Sequence, residues 1–455
     1  MLIRYSVENF LSFKGRQKFS MIPGKTVLKK EHKTTPVRGI SVLKTAVIFG
    51  ANASGKSNLV KAIQFGKKFV LKGSKPDSLI HFQNFRLDKD TVVGDSRMEY
   101  EIQHKGQNYA YGFVFNKHKV VEEWLYKINK KSDTKIFERN INKEEEFDLS
   151  FLLKKNKKEE KLFLKFIAKG TSSNQLFLTE IRKRRVEENV SNITDLLNVL
   201  DWFLNSLKII FPDDKYNEGL KFELKDDEQL TNIFEELLSY FDTGIDGVAL
   251  EKVEANNIDI PRKLLDKIED SLLNSKSEDS AALISGNTTY FFSKKETEIQ
   301  IYEFKTKHSV NGQDEYEFFR TTDESDGTNR VIDFIPLLMD LLKGDNVFII
   351  DEMERSLHPN LMYELIDLFL SKSKQVNSQL ILASHESSLL TQKLLRKDEV
   401  WFVIKEPDGS SKLYSLQEYR IRFDKQIRKD YLLGRFKAIP KIGNREALTI
   451  LPNQN

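Results

Sequence analysis

The stretch that most constrains this chain is residues 45–57, Thr-Ala-Val-Ile-Phe-Gly-Ala-Asn-Ala-Ser-Gly-Lys-Ser. It reads as a buried strand, a glycine-bounded loop and the start of a helix. Gly50, Gly55, Lys56 and Ser57 fit G-x-x-x-x-G-K-[ST], the phosphate-binding loop. The glycines let the backbone curl so that its N–H groups form an anion nest. The following helix adds its N-terminus, with unpaired N–H groups and a partial positive charge. Gly50, Ala51, Asn52, Ala53, Ser54, Gly55, Lys56 and Ser57 are therefore candidate nucleotide-binding residues. Lys56 can reach the β- and γ-phosphates of ATP, and the Ser57 hydroxyl can bind Mg²⁺. A chance Gly/Ser turn would not need the apolar strand before the loop or the amphipathic helix expected over 58–71 after it.

Composition narrows the class. With 455 residues, about three domains are expected. A hydrophobic share of 39% and a charged share of 31% suit a globular chain with a core. Net charge is +4, from 72 basic and 68 acidic residues, so no global basic excess marks a nucleic-acid binder. There is no cysteine, which excludes disulfides, thiol catalysis and cysteine metal sites. The first ten residues alternate like a strand and lack a signal-peptide core. No apolar run approaches the roughly 18–20 residues that span a bilayer. These features lead to the expectation of a cytoplasmic protein without a membrane partner.

Further along, residues 2–22 read as an antiparallel pair, and four runs between 98 and 141 read as short strands rich in aromatic and β-branched residues. They suggest an antiparallel layer near the nucleotide. Gln83 follows the first helix, where a metal-contacting Gln could lie. Residues 146–290 carry helical patterns at 160–168, 174–188, 192–210, 228–241 and 260–273, read as a compact helical insertion without a sustained heptad. Its basic run Arg182-Lys183-Arg184-Arg185 can meet phosphates or simply face solvent. Strands return over 289–320. A helix capped by Ser325 or Asp326 follows, with Ile332, Ile335, Met339 and Leu342 as its core stripe. Residues 346–352 and 379–385 are apolar strands ending in Asp351-Glu352 and Ser384-His385, and residues 399–416 form a hairpin around 407–409. The tail is basic and ends in Pro-Asn-Gln-Asn, expected to be mobile.

Order and spacing turn these motifs into one site. Asp351 would hold Mg²⁺ with Ser57, because Mg²⁺ takes oxygen ligands and keeps several waters. Glu352 would polarise the attacking water, and His385 would contact the γ-phosphate. Ser325 and Gly327 form a second anion-binding helix start. One subunit does not easily use both anion devices on one ATP, so a head-to-tail homodimer or higher oligomer around ATP is expected. The layout is that of an ABC-type P-loop ATPase head: α/β, a mixed sheet plus an antiparallel β layer. A mainly helical insertion splits it, with halves at 1–145 and 291–455 around 146–290.

The start Leu2-Ile3-Arg4 with residues 8–13, the 50–57 loop, Glu324-Ser325-Asp326-Gly327-Thr328, residues 351–359 (Asp-Glu-Met-Glu-Arg-Ser-Leu-His-Pro), Ser384-His385-Glu386 and the closing 431–440 resemble the bacterial ABC-type AAA ATPases of anti-phage defence. These are the RloA/AbiL-like and PARIS-ATPase-like proteins, more distantly similar to OLD-family and SMC/RecF heads. The resemblance implies an ATPase using ATP and Mg²⁺ that senses an infection cue, a nucleic acid or phage protein, and controls a separate toxic effector, often a Toprim-type nuclease. Two departures imply slow hydrolysis: Thr328 and Asn329 replace the usual Gly and Gln, and His358 stands where transporters and SMC heads carry Asp. The competing expectation is an SMC/RecF-like DNA repair or DNA-tethering ATPase, which would show DNA-stimulated, salt-sensitive turnover.

Overall fold

The computed structural model describes residues 1–25, 28–275, 280–285, 288–296, 298–310, 315–419 and 427–440. The polar end at 452–455 lies outside the described residues. The chain divides into two compact units. The first is Met1–Phe211 with Gly344–Met353 and the part from Ile366 onward; the second is Pro212–Lys343 with Glu354–Leu365.

The first unit holds two sheets. The six-stranded sheet runs in the order Ser411–Ser415, Val400–Lys405, Thr45–Phe49, Gln379–Ala383, Val347–Asp351, Leu207–Ile210. All its pairings are parallel except that of the edge strand Ser411–Ser415. Thr45–Phe49, Val347–Asp351 and Gln379–Ala383 are buried at every position, as interior parallel strands must be when both faces are covered. The seven-stranded sheet is antiparallel throughout, from Gln17–Ser20 and Leu2–Glu8 through Ser96–His104, Gln107–Phe115, Val120–Ile128 and Thr134–Asn140 to Phe147–Asp148.

Helix Lys56–Lys72 shares one core with both sheets: Leu59, Ile63 and Phe69 join Tyr5, Tyr100 and Phe113 from the antiparallel sheet and Ile48, Ile349 and Ile381 from the parallel one. Gly66 on this helix is a close-approach glycine: a Cβ there would lie 2.0 Å from the Tyr100 hydroxyl. At the C-terminal end of the described chain, Phe436 and Tyr431 stack on Phe402, at 5.0 and 5.9 Å between ring centroids. The α/β layering expected from the motifs is the one observed: a mixed, largely parallel sheet and an antiparallel layer around the phosphate-loop helix.

The stretch between the two halves differs from the sequence reading. Helices Lys158–Lys169, Phe177–Lys183 and Thr194–Asp201 contribute Leu164, Ile167, Phe177, Ile181, Leu196 and Val199 to the first unit's core. The lysine-rich outer face of Lys158–Lys169 looks like a boundary in sequence, whereas the apolar faces of all three helices are buried. The helix expected over 192–210 stops short. After five π-helical residues, Trp202–Ser206, the chain enters strand Leu207–Ile210, which pairs in parallel with Val347–Asp351. A four-residue apolar run does not reveal its period, so only pairing decides its type.

The second unit is mixed rather than mainly helical. Its sheet runs Gly247–Val253, Glu298–Ser309, Thr288–Lys295, Ser280–Ser285, and Tyr316–Arg320 also pairs with Glu298–Ser309. Helices Glu218–Glu223, Glu228–Tyr240, Arg262–Leu273 and Asp326–Lys343 accompany it, and Leu265 and Leu272 pack on Tyr290, Phe292 and Ile301. Each unit is built on its own core.

Candidate functional site

The parallel register brings the predicted residues of the first unit to one edge. Asp351 is level with Ala383, and Ala383 with Ile48. The residues that follow, Glu352, Ser384-His385 and the loop from Gly50, therefore emerge together at the carboxyl ends of the strands, where open α/β sheets hold ligands.

The loop itself is braced from outside. Gly55 has φ +115°, a conformation L side chains rarely adopt, and a Cβ there would lie 2.3 Å from Ser411 Oγ and 2.8 Å from Ser12 Oγ. Ser411 Oγ donates to the Ser54 carbonyl at 2.5 Å and its N–H donates to the Ser12 carbonyl at 2.7 Å. Asn58 Nδ2 donates to Ser12 Oγ at 2.8 Å. Ser411 had no motif to announce it, and only the fold places it and Ser12 against the loop. Ser54 Oγ is buried without a hydrogen-bond partner among the described residues, and no side chain caps helix Lys56–Lys72. Unused donors at a helix start fit an anionic ligand.

Lys56 is buried, with Nζ donating to the carbonyl of Gly50 at 2.8 Å and lying 3.2 Å from His385 Nδ1. An ammonium can only donate, so a hydrogen bond between the two runs from Lys56 Nζ to Nδ1. Ser57 Oγ donates to Asp351 Oδ1 at 3.1 Å. Asp351 is 3% exposed. Burial pushes its carboxyl upward; the Ser57 hydrogen bond and the Lys56 charge oppose that, while neighbouring Glu352 adds to it.

Glu352 is half-buried, sits at φ +50°, and donates its N–H to the Ala383 carbonyl at 2.9 Å. A non-glycine residue in this region costs roughly 1 kcal/mol or more and turns the side chain sharply off the strand end. Among the described residues no cluster of three or more His, Asp or Glu side chains forms a metal cage. Ser57 and Asp351 offer two hard oxygen ligands, the share a protein supplies to Mg²⁺ when phosphates and water complete the octahedron.

Gln83 is exposed, and its carbonyl accepts from the Leu11 N–H at 2.8 Å; among the described residues its side chain has no hydrogen bond to Ser57 or Asp351. Ser325 and Gly327 belong to the second unit. Ser325 Oγ accepts from the Thr328 N–H at 3.0 Å and caps helix Asp326–Lys343. A Cβ on Gly327 would lie 3.0 Å from the Ser356 carbonyl. Glu324, just before the cap, is held by His308 Nε2 at 2.7 Å.

A family described as "AAA domain, putative AbiEii toxin, Type IV TA system" matches residues 46–391. The chain belongs to that family. The matched span starts in the phosphate-loop strand and ends six residues past His385, so the AAA domain takes in Lys56, Ser57, Ser325, Asp351, Glu352 and His385 together. No curated protein matches the chain. Among solved structures, the SMC head domain from Thermotoga maritima is similar at 11% identity and TM-score 0.37, covering 91% of this chain and 98% of that one. The Smc head with an extended coiled coil bound to the C-terminal domain of ScpA, derived from Pyrococcus furiosus, is similar at 12% identity and TM-score 0.39, covering 96% and 99%. Among the described residues no helix is long and apolar enough to cross a membrane.

Proposed function

We propose that the chain binds and slowly hydrolyses Mg²⁺-complexed ATP, dimerises around it, and serves as the sensor and regulator of an anti-phage defence system whose toxic effector, a Toprim-type nuclease, is a separate protein. The observation that carries the ATPase reading is the single row of strand ends from which the Lys56–Ser57 loop, Asp351-Glu352 and His385 emerge.

In this reading the first-turn N–H groups and Lys56 hold the phosphates, and Ser57 and Asp351 hold Mg²⁺, which supplies charge neutralisation on the phosphates. Glu352 accepts the proton of the attacking water, and His385 orients that water beside Lys56. Ser325 and Gly327 close on the ATP of a second copy, which makes two composite sites per dimer. The inserted second unit is the part that distinguishes this ATPase and is where the trigger would act.

The test is phosphate release by the purified chain with MgATP, followed by phage challenge of cells carrying the chain with its neighbouring gene. Protection that needs both the intact phosphate loop and the neighbouring gene supports the defence role. Turnover strongly stimulated by DNA ends, with no phage phenotype, would favour the SMC/RecF-like alternative instead.

A further inference from the structure

Within the second unit, a cleft of about 450 Å³ is bounded by residues 212–215, by Ile284, by the first turns of helix Asp326–Lys343 and by residues 355–356. Arg330 lines it and is nine-tenths buried. Its Nε and Nη2 have no hydrogen-bond partner among the described residues, and its guanidinium carbon lies 4.7 Å above the Phe334 ring. A guanidinium stays charged, and burying one without an acceptor is costly.

The acids nearby are largely taken. Asp333 accepts from Lys221 Nζ at 2.9 Å, and Asp213 accepts from Arg355 Nη1 at 2.5 Å. Asp214, Lys215 and Asp326 also line the cleft. Cationic donors alongside carboxylates suit a phosphate that travels with its own divalent cation.

We propose that this cleft binds the phosphate of a Mg²⁺-complexed nucleotide, with Arg330 as its buried donor. The nucleotide comes either from solution or from the phosphate loop of a second copy; only the second source rests on the dimer reading above.

Two arms on the full-length chain distinguish the sources. In a Lys56→Ala background, MgADP should raise the melting temperature, and Arg330→Met should remove that rise. In a Glu352→Gln background, MgATP should drive dimerisation seen by light scattering, and Arg330→Met should weaken it about tenfold or more, the scale of a lost charged hydrogen bond. Without nucleotide, Arg330→Met should melt higher, because an unpaired buried charge is gone. Arg330→Lys, which keeps the charge but not the fork, should bind several-fold more weakly and serves if the Met variant does not fold. If neither arm responds to either substitution, the proposal is overturned. If Glu352→Gln stays monomeric in MgATP with Arg330 intact, the dimer reading fails, and the cleft is decided by the MgADP arm alone.

Discussion

The hydroxyl of Ser57 donates to Oδ1 of Asp351 at 3.1 Å, joining the first turn of the phosphate-loop helix to the end of a buried strand nearly three hundred positions away. Two hard oxygens from distant parts of the chain are thus brought within hydrogen-bond distance. A hard cation inserted between them would replace one hydrogen bond by two metal–oxygen contacts.

Replacing Lys56 by Ala should abolish ATP binding, because its ammonium is the only charged side chain of the loop and lies at the mouth formed by Gly50 and His385. Isothermal titration with MgATP checks this. Retained micromolar affinity would remove the loop assignment.

Glu352→Gln should slow phosphate release by roughly 10²-fold or more, the effect of losing a positioned base. ATP binding should survive, since the strand end and its bond to the Ala383 carbonyl involve only backbone at this position. Normal turnover in this variant would show that another group activates the water.

Lys67 offers a pH test of the packing behind the site. It donates to the Leu207 carbonyl at 2.5 Å, tying the phosphate-loop helix to the edge strand, and burial, with Lys208 nearby, brings its pKa down to about 8. The unfolded chain holds this proton up to about pH 10.4. Between pH 8 and 10 the unfolded state therefore binds more protons than the folded one, and stability rises with pH. The difference in melting temperature between the wild type and Lys67→Met should change steadily across that window and stay constant below it. A difference independent of pH up to 10 would contradict the assignment.

Gly66→Ala should destabilise the fold by about 1–3 kcal/mol, despite alanine's higher helix propensity, since overpacking outweighs it. The added methyl would meet the Tyr100 hydroxyl, which donates to the Ile63 carbonyl at 3.1 Å. Tyr100→Phe should recover part of the loss in a double-mutant cycle read by chemical denaturation. Additive losses would mean the two sites do not touch.

Much of the first unit was legible because its signals are local. Residues 45–57 carry strand, loop and helix in one run, and the apolar runs ending in Asp351 and His385 reveal both burial and polarity at their ends. The antiparallel strands between 96 and 140 are rich in aromatic and β-branched residues and are closed by short turns. The strand at Leu207–Ile210 was not legible. Its four residues pair with Val347–Ile350, and nothing in either segment names the other. The same holds for Ser12 and Ser411, whose contact with the phosphate loop is made across the whole length of the chain.

The sequence by itself determined the chemistry: which residues can hold a phosphate, a cation and a water, and in what order they come. The tertiary structure decided what lies beside what. It set the parallel register that levels Asp351 with Ala383 and Ile48, and it assigned the helices of 158–201 to the first core. It also made the second unit a sheet with its own charged cleft. The physical reason is range. Loop geometry and helix starts are settled within a few residues, whereas strand pairing and the choice of a helix's buried face depend on partners that only the folded chain brings close.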